Sequence, residues 1–130
     1  MTLFTRIING EIPCYKIAED EHYFAFLDIN PLRPGHTLVI PKVEDDYIFN
    51  LDDETLSGLI LFAKRVARAQ KIALPCKRIG VAVLGMEVPH THIHLVPLQA
   101  EGDLNFSNPK LQLPENEMKE IAASIAKNFQ

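Results

Sequence analysis

The sequence predicts an α+β fold in which a five-stranded antiparallel sheet packs against one long helix. Three observations carry this prediction: short β-branched or apolar runs bounded by turn residues, a single long stretch with helical periodicity, and strand connections too short to hold crossover helices. A chain of 130 residues fits one domain, residues 1–130, with a single core. A hydrophobic fraction of 47% is typical of a folded domain.

The first three strands are predicted within the first third of the chain. The segments EIPCYKIAED (11–20) and EHYFAFLDIN (21–30) are joined by an acidic turn. Pro34–Gly35 marks the next turn, and HTLVIP (36–41) is a β-branched run that proline stops.

A long amphipathic helix is predicted over residues 53–72. Asp52 is a good N-cap, and the acidic residues that follow it suit the positive end of the helix dipole. The helix ends before Pro75. Its apolar positions recur at three- and four-residue steps and are Leu56, Leu59, Ile60, Ala63, Val66 and Ala67.

The last two strands are predicted at RIGVAVLG (78–85) and VPHTHIHLVPL (88–98), with a tight turn near Gly85. Beyond residue 99 the composition becomes polar. Residues 114–129 then predict a second, shorter helix. Its inner face carries Met118, Ile121, Ala122 and Ile125.

Charge and composition exclude several classes of function. The formal net charge of -4 argues against a nucleic-acid partner, which requires a basic surface. Because the chain has no signal-peptide pattern and no long apolar span, we expect a cytoplasmic protein with no membrane partner. In that compartment Cys14 and Cys76 are expected to be free thiols.

Three of the five histidines, His90, His92 and His94, occupy every second position of the last predicted strand. Because strand residues alternate between faces, the three imidazoles share one face and the residues between them face the core. We expect the imidazoles to lie on a face that is open to a ligand.

Such a cluster is consistent with three alternatives: histidines without a functional role on a solvent-exposed sheet face, a zinc site, or nucleophilic catalysis. The three positions span about 13 Å at roughly 3.3 Å per residue, which is too far for one tetrahedral ion. Two of them could still bind a metal together with His36. A central imidazole flanked by two others could instead attack phosphorus. His36, directly after Gly35, is then a candidate to orient the cluster.

The motifs of this chain resemble those of the histidine triad (HIT) superfamily. HTHIHLV fits the pattern His-x-His-x-His followed by apolar residues, and IINGEIP, AFLDINP and PGHTLVIPK resemble further motifs of the family. The resemblance covers about residues 3–98 and leaves about residues 111–130 as a C-terminal helical extension. It implies a HIT-like fold, a homodimer and an AMP-like purine nucleotide as ligand, as in bacterial nucleotide hydrolases of the Hint-like branch.

By motif position, the resemblance implies a role for each candidate residue. His92 would be the nucleophile and form a nucleotidyl-histidine, His94 and His90 would contact phosphate oxygens or the leaving group, and His36 would support them. Asp28 would accept hydrogen bonds from the ribose hydroxyls, as suits a carboxylate. The residues implied to line the base pocket are Phe4, Ile12, Leu27 and Ile29.

The implied activity is cleavage of phosphoramidate-type nucleoside monophosphate conjugates at the α-phosphate, catalysed by a hydrolase or transferase. The alternatives are a dinucleoside polyphosphate hydrolase and a nucleotide-binding regulatory module with little turnover. Met86 and Glu87 keep these alternatives open, because they stand where many relatives carry a polar pair that contacts phosphate and leaving group.

We predict no metal and no cofactor. Some bacterial relatives bind structural zinc through N-terminal cysteines, and Thr5 stands where the first of these is expected. The chain also lacks a CxxC pair. The imidazoles can supply hydrogen-bond donors to the phosphate without an ion.

Overall fold

The computed structural model describes residues 1–130, which form three helices around one five-stranded sheet. All neighbouring strands are antiparallel, in the order β1-β2-β3-β5-β4. The predicted α+β class and antiparallel sheet are therefore confirmed. The strands are β1 (Lys16–Glu19), β2 (Tyr23–Leu27), β3 (Thr37–Pro41), β4 (Arg78–Ala82) and β5 (Ile93–Leu98). The helices are α1 (Leu3–Ile8), α2 (Asp53–Ala73) and α3 (Glu115–Lys127), with short 3-10 turns at Ile48–Asn50 and Glu101–Leu104.

Helix α2 begins and ends within one residue of its prediction. The carboxylate of Asp52 accepts a hydrogen bond from the backbone N–H of Thr55 at 2.7 Å, as expected of an N-cap. Ile60, predicted on the apolar face, is 48% exposed, and Phe62 is buried instead because the buried face is centred on Leu59 and Val66. None of the helices has the length and apolar character that a membrane-spanning segment needs.

Both faces of the sheet are covered. Helices α2 and α3 pack on one face over a core of 16 buried residues. The short helix α1 covers the other face, where it completes a smaller core of Phe4, Ile7, Phe24, Phe26, Leu38 and Ile40. Helix α1 was not predicted, because six residues are too few to reveal a period.

The histidine segment is a strand only in its second half. Strand β5 begins at Ile93, so His90 and His92 precede it. The N–H and hydroxyl of Thr91 donate to the carbonyl of Asp45 at 2.6 and 2.8 Å, which ties this stretch to a loop rather than to the sheet. The prediction of a single strand over residues 88–98 was therefore wrong in its first half.

The turn before β3 is held by contacts from α2. Gly35 has φ 91°, and a Cβ there would collide with Leu74. The buried side-chain amide of Gln70 donates to the carbonyl oxygens of Gly35 and Leu95, each at 3.0 Å. Helix α2 thereby fixes the start of β3 against β5, and with it the relative positions of His36 and His94.

Candidate active site

Two adjoining cavities open on the sheet face that α1 covers. The first, called here the polar cavity, has a volume of about 180 Å³. The second, the apolar cavity, has a volume of about 280 Å³ and sixteen lining residues, ten of them hydrophobic. The polar cavity is lined by Asp28, His36, Leu84, Gly85, Met86, Glu87, His92, His94, Phe106 and Lys110. The two cavities share Asp28, Glu87, His92 and His94.

The imidazoles lie on the expected side of the sheet, and His92 and His94 are accessible only through the two cavities. His92 and His94 are only 7% and 8% exposed. The ring of Phe4 in α1 meets that of His92 edge-on, with centroids 5.2 Å apart. The ring of Phe106, from the segment after β5, lies 4.7 Å from that of His94. Two segments outside the sheet therefore cover much of this face, and the two cavities are the access to a ligand that remains.

The protonation of His36 and His94 follows from their hydrogen bonds. The backbone N–H of Leu32 donates to His36 Nδ1 at 3.0 Å, so the proton of the neutral His36 ring is on Nε2. His36 Nε2 lies 3.0 Å from His94 Nδ1 and donates to it. The proton of His94 is then on its own Nε2, which has no partner in the protein and is free to donate into the cavity.

His92 has the opposite arrangement. Its Nδ1 lies 2.8 Å from the carbonyl oxygen of His90, which can only accept, so Nδ1 carries the proton. The unprotonated Nε2 makes no hydrogen bond to the protein. The junction of the two cavities therefore presents a free nitrogen lone pair beside the N–H donor of His94, as attack on an electrophile requires.

His90 does not reach either cavity. It is fully buried, and both ring nitrogens are occupied: Nε2 donates to the carbonyl of Pro41 and Nδ1 accepts from the hydroxyl of Thr2, each at 2.7 Å. Thr5, expected in place of a cysteine ligand, donates its hydroxyl proton to Glu44 at 2.5 Å. The bonds of His90 join it to the N-cap of α1 and to the end of β3, and they leave His90 no nitrogen for a ligand.

Asp28 stands beside the imidazoles as a carboxylate acceptor. One oxygen accepts the N–H of Asn30 at 2.9 Å, and the other lies 3.7 Å from His36 Nε2. That pair is not an ion pair, because burial lowers the pKa of His36 to about 3 and keeps the ring neutral. Burial also raises the pKa of the Asp28 carboxyl above its usual value.

Asp28, His36 and His94 place one possible ligand atom each within 4.8 Å of one another, a spacing that could hold a metal ion. The donor chemistry argues against it. His36 Nε2 carries a proton for as long as Leu32 donates to Nδ1. Binding an ion there would require an imidazolate or an unpaired buried N–H, and both are costly.

The residues predicted for the base pocket all line the apolar cavity, together with Cys14. Phe4 and Ile12 lie along it, and Ile29 is 68% exposed at its rim. Leu27 is only 1% exposed, and its side chain belongs to the core on the α2 side of the sheet. The structure thus brings Phe4, Ile12 and Ile29 together around one apolar space, whereas the side chain of Leu27 packs in the core on the other side of the sheet.

Sequence reasoning missed Phe106 and Lys110. Both line the polar cavity, yet they lie beyond the last motif, in a segment without periodicity. The sequence offered only one weak indication of their role, which is that Phe106 is the only aromatic residue between Leu98 and Phe129. An isolated aromatic in a polar stretch indicates packing against the fold but does not say where.

The neutral histidines predict a loss of stability in mild acid. Burial lowers the pKa of His36 to about 3 and that of His94 to about 4, whereas both are near 6.5 in the unfolded chain. The unfolded state therefore binds more protons below pH 6.5, so stability falls as the pH decreases from 6.5 towards 4. We expect a slope of up to about 1.4 kcal/mol per pH unit for each histidine. Denaturant unfolding across this range measures it.

The matched variants are His36→Gln and the exposed-site control His22→Gln. The side chain of His22 is 71% exposed, so its removal should leave the slope unchanged. His36→Gln should reduce the slope. Equal slopes in the two variants would contradict the buried neutral state assigned to His36.

Comparison with known proteins gives consistent matches over nearly the whole chain. Residues 9–101 match the HIT domain. An uncharacterized HIT-like protein of Borreliella burgdorferi is 37% identical over 135 residues, covering 98% of this chain and 97% of that protein. The adenosine 5'-monophosphoramidase of Schizosaccharomyces pombe is 31% identical over 130 residues, covering 95% of each chain.

Solved structures of similar proteins have the same fold. A Hit-like protein from Bartonella henselae, described as involved in cell-cycle regulation, superposes with a TM-score of 0.84 at 31% identity, over 98% of this chain and 96% of that one. A zinc-bound histidine triad family protein from Mycobacterium smegmatis gives 0.79 at 30% identity, over 96% and 93%.

Proposed function

Because this chain belongs to the HIT domain family, we propose that it is a nucleotide hydrolase that cleaves phosphoramidate-type nucleoside monophosphate conjugates at the α-phosphate. One observation carries the proposal. Where the two cavities meet, His92 presents an unprotonated Nε2 and His94 presents an N–H donor. The activity named for the Schizosaccharomyces pombe relative supports the choice of substrate class.

Four parts of the substrate are assigned to positions in the two cavities. The purine base occupies the apolar cavity, and the ribose hydroxyls donate to the carboxylate of Asp28. The α-phosphate then lies at His92 and His94, which line both cavities. The leaving group extends into the polar cavity beside Met86 and Glu87. The adjacency of the two cavities supports this order of the substrate parts, which needs no movement of the sheet.

The reaction proceeds in two displacements. His92 Nε2 attacks phosphorus, the bond from phosphorus to the leaving nitrogen breaks, and the amine takes a proton from water at the cavity mouth. Water then attacks the nucleotidyl-histidine, the phosphorus bond to Nε2 breaks, and a proton is released to solvent. The N–H of His94 donates to a phosphate oxygen in both steps, where charge develops.

His36 and His90 act as supports. His36 donates to His94 Nδ1 and so keeps the proton of His94 on the nitrogen that faces phosphate. The carbonyl of His90 holds the proton of His92 on Nδ1 and leaves Nε2 unprotonated. Direct contact of His90 with the substrate, which its motif position implies, is not part of the proposal because both of its ring nitrogens are occupied.

A turnover assay tests the proposed activity against its alternatives. Purified protein should release AMP from an adenosine phosphoramidate, followed by chromatography. It should act far more slowly on a dinucleoside polyphosphate, because Glu87 repels an anionic leaving group and Met86 offers no donor. Tight AMP binding without release of product from either substrate would instead support a regulatory module.

We expect the activity to be independent of metal. An ion on His92 Nε2 would occupy the lone pair that attacks phosphorus, and the His36 proton opposes binding beside Asp28. Rates should be unchanged after exhaustive chelation, and added zinc should inhibit. One zinc per subunit, with activity lost on stripping and restored on re-addition, would identify a metallohydrolase instead.

We further propose a homodimer formed through the edge strand β4 and helix α2. Strand β4 is at the end of the sheet, so the backbone groups on its outer side have no strand partner. Exposed apolar side chains lie on both elements: Val81, Ile60, Leu61 and Ile72. Sedimentation should give a mass near twice 14.7 kDa. A mass near 14.7 kDa at micromolar concentration would exclude the dimer.

A further inference from the structure

The charges around the two cavities are unbalanced for a nucleotide. Asp28 and Glu87 contribute carboxylates, whereas Lys110 is the only lysine or arginine that lines either cavity. His36 and His94 are neutral and add no positive charge. A phosphate that enters this space meets two anions and one cation, so the cation decides whether an anionic ligand is accepted.

We propose that Lys110 binds the nucleotide phosphate, so that the segment after β5 completes the site with a residue outside the HIT domain match at 9–101. The inference rests on the proposed nucleotide-binding function. It assigns recognition of the anionic group to Lys110, whereas His94 supplies a neutral donor and His92 the nucleophile.

Two contacts hold the segment after β5 over the polar cavity. The N–H of Leu111 donates to the carbonyl of Pro31 at 2.8 Å, which joins the segment to the loop between Asp28 and His36. The ring of Phe106 packs against His94. These contacts carry Lys110 to the cavity wall although it is 16 residues beyond His94 in sequence.

The ammonium group is oriented and has capacity for a ligand. Lys110 Nζ donates to the carbonyl oxygens of Phe106 at 2.6 Å and Asn108 at 3.2 Å. An ammonium has three N–H donors, so one remains for an anion. Lys110 has no carboxylate partner in the protein, whereas Lys16 and Lys42 each pair with Glu19.

The field of Lys110 also reaches the groups that contact the ligand. Burial is the largest influence on both neighbours and raises the pKa of Asp28 but lowers that of His36; the charge of Lys110 acts to lower both pKa values. A phosphate oxygen placed between these groups would therefore be attracted by the same charge. Position, free donor capacity and electrostatic reach all favour a phosphate contact.

The test compares the binding of AMP and adenosine to the full-length protein by calorimetry at low ionic strength. Lys110→Gln keeps an N–H donor but removes the charge, Lys110→Arg keeps the charge, and Lys64→Gln removes an exposed charge on α2. We expect Lys110→Gln to weaken AMP binding about tenfold and to leave adenosine binding unchanged. Lys110→Arg and Lys64→Gln should retain wild-type affinity for AMP.

Two results would overturn the inference: wild-type AMP affinity in Lys110→Gln, or equal losses of AMP and adenosine affinity, which would indicate a structural role. The outcome is separable from that of the proposed hydrolysis. A protein that binds AMP through Lys110 but releases no product would sustain this inference and contradict the proposed activity. A protein that hydrolyses the phosphoramidate while Lys110→Gln keeps full AMP affinity would contradict this inference alone.

Discussion

Replacing His92 with asparagine should abolish turnover of an adenosine phosphoramidate and leave AMP affinity within a few fold of wild type. The amide nitrogen of asparagine has no available lone pair to attack phosphorus, whereas Nε2 of His92 has one because Nδ1 holds the proton. Loss of the nucleophile removes the covalent route altogether, so single-turnover rates should fall by at least about 10³-fold.

The matched control is His22→Asn, since His22 is exposed and lines neither cavity. Its rate should equal that of wild type. AMP affinity measured on both variants separates a chemical defect from a binding defect. Near-normal single-turnover rates in His92→Asn would mean that another group attacks phosphorus and that the proposed mechanism is wrong.

Replacing His94 with leucine should have the second largest effect. Leucine removes the N–H that donates to the phosphate and also leaves the Nε2 proton of His36 without an acceptor. We expect kcat to fall by about 10²- to 10³-fold with little change in KM, because the donor acts most strongly where charge develops in the transition state.

His94→Gln is the variant that separates these effects. The terminal amide nitrogen of glutamine can place an N–H near the position of Nε2, so part of the rate should return. Measuring kcat and KM for both variants shows whether the loss of rate comes from the missing N–H donor. A change confined to KM, or equal losses in the two variants, would contradict a role for His94 as donor to the phosphate.

The parts of the molecule that the sequence could predict are those with a local signal. Helix α2 has an N-cap at Asp52 and a long apolar period, so its bounds follow from adjacent residues alone. The family motifs identified His36 and His94 as members of one site, and a hydrogen bond joins them across 58 residues of sequence. Such long-range pairs can be predicted from the resemblance to the family but not from the periodicity of the sequence.

The remaining features depend on contacts between distant segments. Strand alternation predicts the face on which His92 and His94 lie, but it does not predict that Phe4 and Phe106 cover that face. The role of His90 was hidden for the same reason, because its partners Thr2 and Pro41 come from other parts of the chain. No local pattern distinguishes an imidazole that faces a cavity from one that supports its neighbour.

The most direct test of the nucleotidyl-histidine is to trap it. Wild-type protein is mixed with an adenosine phosphoramidate, quenched within the first turnover, and analysed by intact-mass spectrometry and peptide mapping under conditions that preserve the phosphorus–nitrogen bond. We predict one adenylyl group per subunit, located on His92 and absent from His92→Asn. Rapid turnover by wild type with no adduct at any quench time, or an adduct on another residue, would contradict the account.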